Sequence, residues 1–324
     1  GQREADHRQL SPAERLVAYF DVMTSAMEPH HGERLPLQLA LSFVPKLLGA
    51  GDRFSIASVT DLADRLRTFA AADQRSKLEF WLRETFGPGV AKLGLLPKSA
   101  DDLDAEVTRA RVFEEAAYAG RDPELVKQAT ELAGHWRELP EAMRGAILAV
   151  AADASPDVQA ELLRAVDTEK DVKRLNEALG ALAAVRDPAR LDHALGAMLD
   201  PAVDFRRSMW MLQRIAPEAS ATAEAFVKAH QAALLARLPK IDDTGSSVRS
   251  FMAPFVEDCD PAHRDDIASY LKQTYSGIPG APRQIEQHIE RLDRCIAAHA
   301  ALGPDVRGWL GGIKTTKPKP KPKT

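Results

Sequence analysis

Zinc peptidases and phosphate-binding enzymes leave compact signatures, and the 324-residue chain carries none of them complete. A zinc peptidase helix sets two His at i and i+4 on one face with a Glu between them as base, the H-E-x-x-H pattern. No such run occurs. Of the nine His, only His30 and His31 fall together, with Glu33 beside them. They stand in a loop-like stretch where neighbouring side chains point apart, so an autonomous hydrolase would have to be built on these three. Neither G-x-x-x-x-G-K-[ST] nor G-x-G-x-x-G is present, and Gly277 with Gly280 before a helix is explained by turn chemistry. There is no G-x-S-x-G elbow, and neither Cys259 nor Cys295 has an adjacent His to activate it. The expectation is a chain with no catalytic residue, no metal ligand and no cofactor of its own.

Binding chemistry is easier to place. A guanidinium offers paired donors that match a carboxylate, which makes the FRRS run at 205–208 the first candidate. Arg206 and Arg207 are therefore the expected substrate-binding residues, with a peptide carboxylate as ligand. The competing reading is a surface arginine pair beside Asp204. Other charged runs, Asp101-Asp102 with Asp104 and Asp265-Asp266, read as solvated helix ends.

The elements that must position these groups are helices. Hydrophobic residues make up 45% of the chain, with Ala and Leu dominant and β-branched residues sparse, a balance that favours close helix packing over sheets. Capping residues followed by Pro mark helix starts at Ser11, Asp122, Ser155, Asp187, Asp200 and Asp260. Asp122, Ser155 and Asp187 are separated by 33 and 32 residues, the length of one helix-turn-helix unit in a solenoid. Leu125, Ala129, Leu132 and Trp136 form one apolar stripe, and Leu175, Ala178, Leu179, Leu182 and Val185 another. Further helical patterns cover 12–28, 35–49, 60–71, 74–86, 101–119, 140–152, 203–216, 218–237, 247–258, 262–275 and 282–301. No strand alternation stands out. The expected fold is all-α, a superhelical array of antiparallel helix pairs of the HEAT/ARM type, over 1–312.

Gly, Pro and Ser break the pattern at 87–101 and 239–247, expected joints. The segment after Gly312 alternates Lys and Pro at Lys317, Lys319, Lys321 and Lys323, so 313–324 is expected to be an extended, disordered tail, either plainly solvated or in contact with an anionic partner. Cys259 and Cys295 lack zinc-site spacing and read as small core residues. A net charge of −4 without a clustered basic face argues against a nucleic-acid partner. No stretch reaches the length of an apolar membrane span, and GQREADHR lacks a signal-peptide core. A chain opening at Gly1 reads as a processed product or a piece of something longer. Its compartment stays open, with a lean to the cytoplasm, because a targeting segment would precede Gly1.

Several runs together resemble the C-terminal helical domain of M1-family zinc aminopeptidases, the ERAP1-like region, over most of the chain up to about Leu310. They are LPEAMRGAILAVAAD (139–153), TEKDVKRLNEALGALAAVRDPARLDHALGAMLD (168–200), DFRRSMWMLQRIA (204–216) and AFVKAH (225–230). In such domains the run reads as Leu/Ile-Pro with an Arg four residues later, an acidic pair before an Ala-Leu helix, and a V-R-x-Q-like turn before a W-D-F-V-K-x-N segment. Here Ser208 replaces the Gln, Glu224 and Ala225 the Trp-Asp, and His230 the Asn. The resemblance implies a bowl of paired helices closing over a zinc domain carried elsewhere, with zinc and the G-x-M-E-N motif in that domain. It also implies a cavity-facing role for Arg206 toward a peptide carboxylate. Two readings follow. One is the non-catalytic C-terminal domain of an M1-like aminopeptidase, with the zinc domain and a peptide substrate as partners. The other is a stand-alone helical-repeat scaffold whose groove binds a protein segment.

Overall fold

A computed structural model describes residues 11–27, 34–99, 101–238, 246–255 and 259–315, and every regular element among them is a helix. The His30, His31 and Glu33 cluster, the joint at 239–245 and the tail from residue 316 lie outside the described residues. The chain divides into two compact units. The first comprises Gly1–Gly94, Asp101–Arg121 and Ala301–Thr324, and the second Leu95–Ala100 and Asp122–Ala300.

The first unit contains α1 (Pro12–Met27), α2 (Leu37–Ala50), α3 (Arg53–Phe69), α4 (Arg75–Leu93), α5 (Leu103–Phe113) and a π-helical segment, Glu114–Ala119. Its core is built from Tyr19, Leu37, Leu62, Leu66, Phe86 and Phe113, all essentially inaccessible. The expected break at 87 does not occur, because α4 runs through Gly87-Pro88-Gly89 to Leu93. The reason is packing. A Cβ at Gly89 would stand 2.8 Å from Cγ1 of Val112, so the missing side chain lets α5 approach α4 rather than making a turn. The helix stops at Gly94, whose φ of +75° is one that residues with a Cβ rarely adopt. The buried guanidinium of Arg109 completes this end. Its Nε donates to the Gly94 carbonyl at 3.2 Å, and it pairs with Asp101, which is therefore a part-buried partner rather than a solvated helix end.

The second unit is the repeat array. Its helices are α6 (Pro123–Ala133), α7 (Glu141–Ala154), α8 (Pro156–Thr168), α9 (Val172–Ala183), α10 (Pro188–Leu195), α11 (Phe205–Ser208), α12 (Ser220–Ala229), α13 (Gln231–Ala236), α14 (Ser246–Met252) and α15 (Arg264–Tyr275). The last helix, α16 (Ala281–Gly312), contributes its residues through Ala300 to this unit and the rest to the first. Asp122, Ser155 and Asp187 cap α6, α8 and α10, each accepting a backbone N–H with Pro at the first helical position. The expected register of the repeat is therefore the observed one: α6/α7 and α8/α9 are successive helix pairs, and α10 opens the next unit.

Asp200-Pro201 and Asp260-Pro261 do not start helices. Each Asp side chain accepts the N–H two residues on, Ala202 at 2.8 Å and Ala262 at 2.9 Å, and closes a turn instead. At 200 the turn is held by Arg237, which donates to the carbonyls of Met198, Asp200 and Val203 and so takes them out of any helical ladder. The continuous helix expected over 203–216 is likewise one turn of α-helix followed by a 3-10 turn, Met209–Gln213, and that expected over 218–237 is interrupted at His230.

Cys259 and Cys295 were expected as separate core residues, but they are joined in a disulfide that closes a span of 36 residues around α15. Spacing alone could not reveal this, because the pairing depends on α15 and α16 turning back on each other. Loss of the bridge, in a Cys259→Ser/Cys295→Ser variant or after reduction, should lower stability by about 3 to 4 kcal/mol from the restored loop entropy of the unfolded chain. Urea denaturation with and without dithiothreitol measures it. An unchanged midpoint would mean that packing alone holds this corner.

Candidate functional site

Successive repeats of the second unit are joined by polar rungs spaced at the repeat length. Arg144 on α7 donates to Glu177 on α9 at 3.0 Å and to the Leu139 carbonyl at 3.0 Å. That is the structural purpose of the Leu-Pro start with an Arg four residues later: the guanidinium caps its own turn and grips the next repeat. Burial raises the Glu177 carboxyl above its ordinary pKa, and the Arg144 charge opposes the shift. Lys173 on α9 reaches back to Glu141 on α7. Arg186, in the loop after α9, links Asp153 at the end of α7 to Glu218 in the 3-10 turn before α12. On the first helices, Arg190 donates to Gln159 at 2.7 Å.

The rung between α9 and α11 is different. Among the described residues its arginine, Arg207, finds the Asn176 amide oxygen at 3.4 Å and its own cap residue Asp204 at 3.2 Å. No carboxylate from α9 answers it. Here the surface opens into a cavity of about 600 Å³ lined by Asn176, Leu179, Gly180, Asp204, Arg206, Arg207, Trp210, Met211 and Arg214. Leu179 and Met211 are buried and give an apolar floor, while Trp210 presents half its surface, 51%, to solvent. Gly180 on α9 lines the cavity beside the Arg214 side chain. A Cβ at this position would lie 3.4 Å from Arg214 Cδ and 3.6 Å from one terminal nitrogen. The guanidiniums of Arg206 and Arg214 have no protein partner among the described residues.

Three arginines against Asp204 leave the cavity with two uncompensated positive charges, and its volume falls in the range, about 300 to 1,000 Å³, of pockets that hold small ligands. Arg206 and Arg207 are thus both placed on one cavity. Trp210 and Arg214 were not anticipated. Helical periodicity does not mark them, because Met209–Gln213 is a 3-10 turn and its faces repeat at three residues, not four.

No group of three or more His, Cys, Asp or Glu among the described residues could hold a metal ion. No described helix is long and apolar enough to cross a membrane.

A search of curated proteins found no match to the chain. A family model described as the ERAP1-like C-terminal domain matches residues 2–294. That span takes in most of both compact units, the repeat rungs and every residue lining the arginine cavity, and on it the chain belongs to the ERAP1-like C-terminal domain family.

Proposed function

We propose that this chain is the non-catalytic C-terminal domain of an M1-like zinc aminopeptidase, where it encloses the active site of a separate zinc-bearing domain and shapes peptide access. The observation that carries the reading is the cavity between α9 and α11, where Arg206 and Arg214 offer guanidinium donors that no carboxylate among the described residues takes. A peptide trimmed from its N-terminus presents its free carboxylate at the far end, and paired guanidinium donors bind such a group well. Trp210 beside them supplies a flat apolar surface for the adjoining residue. In this reading the residues of the chain bind and orient the distal end of the substrate, and the chemistry belongs to the zinc domain.

The test is equilibrium binding of a nine- or ten-residue peptide to the purified chain, with the peptide's C-terminus free or amidated. Amidation should weaken binding about tenfold, and Arg206→Ala should weaken the free acid by a similar factor, the size expected for one charge-assisted hydrogen bond. Equal affinity for acid and amide would remove the carboxylate role and leave a repeat scaffold that binds protein segments by other means.

A further inference from the structure

The charge count of the cavity goes further than one carboxylate. Asp204 already neutralises Arg207 through the 3.2 Å pair, and Asn176 holds the same guanidinium in place. Arg206 and Arg214 remain, and a peptide ending in a neutral residue can offset only one of them. Both side chains are exposed at the cavity mouth, so the other would remain solvated and make no contact with such a peptide. We propose that the cavity selects peptides whose C-terminal residue is acidic, the main-chain and side-chain carboxylates together meeting Arg206 and Arg214. The inference rests on the carboxylate reading above and assigns the substrate class of that site.

The surroundings suit such a residue. Arg206, Trp210 and Arg214 line the same cavity, and the half-exposed indole supplies apolar surface for the methylenes of a glutamate that join the two carboxylates. Arg214 lies along α9 at the cavity wall, its Cδ 3.4 Å from where a Cβ on Gly180 would stand, an ordinary van der Waals contact.

Arg214 is the specificity-determining residue of the proposal. Two peptides identical except for a C-terminal Glu or Gln, each as free acid and as amide, are titrated into the wild-type chain and the exposed-site variant Arg214→Gln, with inorganic phosphate as a competitor at matched ionic strength. The wild type should bind the Glu peptide about tenfold more tightly than the Gln peptide, as one added charge-assisted contact requires. Arg214→Gln should bring the two to near equality, and phosphate should compete with the Glu peptide only weakly. Equal Glu and Gln affinities, with both lost on amidation, would overturn this inference and leave the single-carboxylate reading standing. Insensitivity to amidation would overturn both. A Glu preference retained in Arg214→Gln would overturn the assignment to this arginine.

Discussion

Replacing Arg186 by Ala should lower the stability of the second unit by about 3 to 5 kcal/mol, the cost of leaving buried ionic partners uncompensated. Its side chain is only 8% exposed and lies between Asp153 and Glu218, each 14% exposed. The contact to Asp153 is two-pronged. Arg186 donates its backbone N–H at 2.8 Å and Nε at 2.9 Å to the two carboxylate oxygens, with a terminal nitrogen on the second. Asp153 closes one repeat, Arg186 the next and Glu218 lies in the one after, so a single guanidinium joins three repeats. In a repeat array, stability is close to a sum of units and interfaces, and removing the joint weakens two interfaces at once. Lys173→Ala is the comparison. Lys173 pairs with Glu141 at the same repeat spacing, but both are more than half exposed, and solvent leaves such a pair worth less than about 1 kcal/mol. Urea unfolding of the two variants decides the matter. A similar small loss in both would show that the rungs follow the packing rather than hold it.

The repeat was legible in the sequence because its marker is local. Asp122, Ser155 and Asp187 each satisfy backbone N–H groups within three residues, and the following Pro needs no partner, so the signal survives without knowledge of the fold. The same pair misled at Asp200 and Asp260, where the side chain satisfies an N–H just as locally but in a turn. What separates the two outcomes at 200 is Arg237, thirty-odd residues away, which captures the carbonyls a helix would have used. The Gly87-Pro88-Gly89 run misled for a related reason. Its glycine answers a demand for close approach by Val112, a tertiary fact with no trace in the local pattern.

The candidate site was legible in part. Two adjacent arginines can be read from a sequence, and both line the cavity. That they have too few counter-charges cannot be read, because it depends on what the neighbouring repeat offers. Glu177 faces Arg144 across one interface, whereas Asn176 faces Arg207 across the next. The site is the place where the ladder of rungs lacks its carboxylate. A comparison of successive repeats in register, residue against residue, would have exposed it once the helix faces were known. The Cys259–Cys295 bridge stayed hidden for the same reason.

Exchange of Glu115 for Gln should stabilise the first unit at alkaline pH and change little near pH 4.5. Glu115 stands in the π-helical turn that follows α5, is 6% exposed, and has one carboxyl oxygen, Oε2, with no partner among the described residues. Burial pushes its pKa from the ordinary 4.5 up to about 8, and the charges of Asp64, Glu114 and Asp61 add to the rise while Arg67 on α3 opposes it. The folded state therefore holds a proton that the unfolded chain has released, and the difference persists between pH 4.5 and 8. Across that window each pH unit removes about 1.4 kcal/mol of stability, so the loss on reaching pH 8 is on the order of 4 kcal/mol. Above pH 8 both states are ionised and the loss is complete. Gln has the shape of the protonated acid and no proton to lose, so the stability difference between variant and wild type should grow from pH 4.5 to 8 and then level off. His288, buried and held down to about 4, titrates below this range in the folded state and is common to both proteins, so its contribution cancels in the difference. Urea midpoints at half-unit steps from pH 4.5 to 9 give the curve. Parallel curves for the two proteins would mean that Glu115 reaches solvent and ionises in the folded state with its ordinary affinity for the proton.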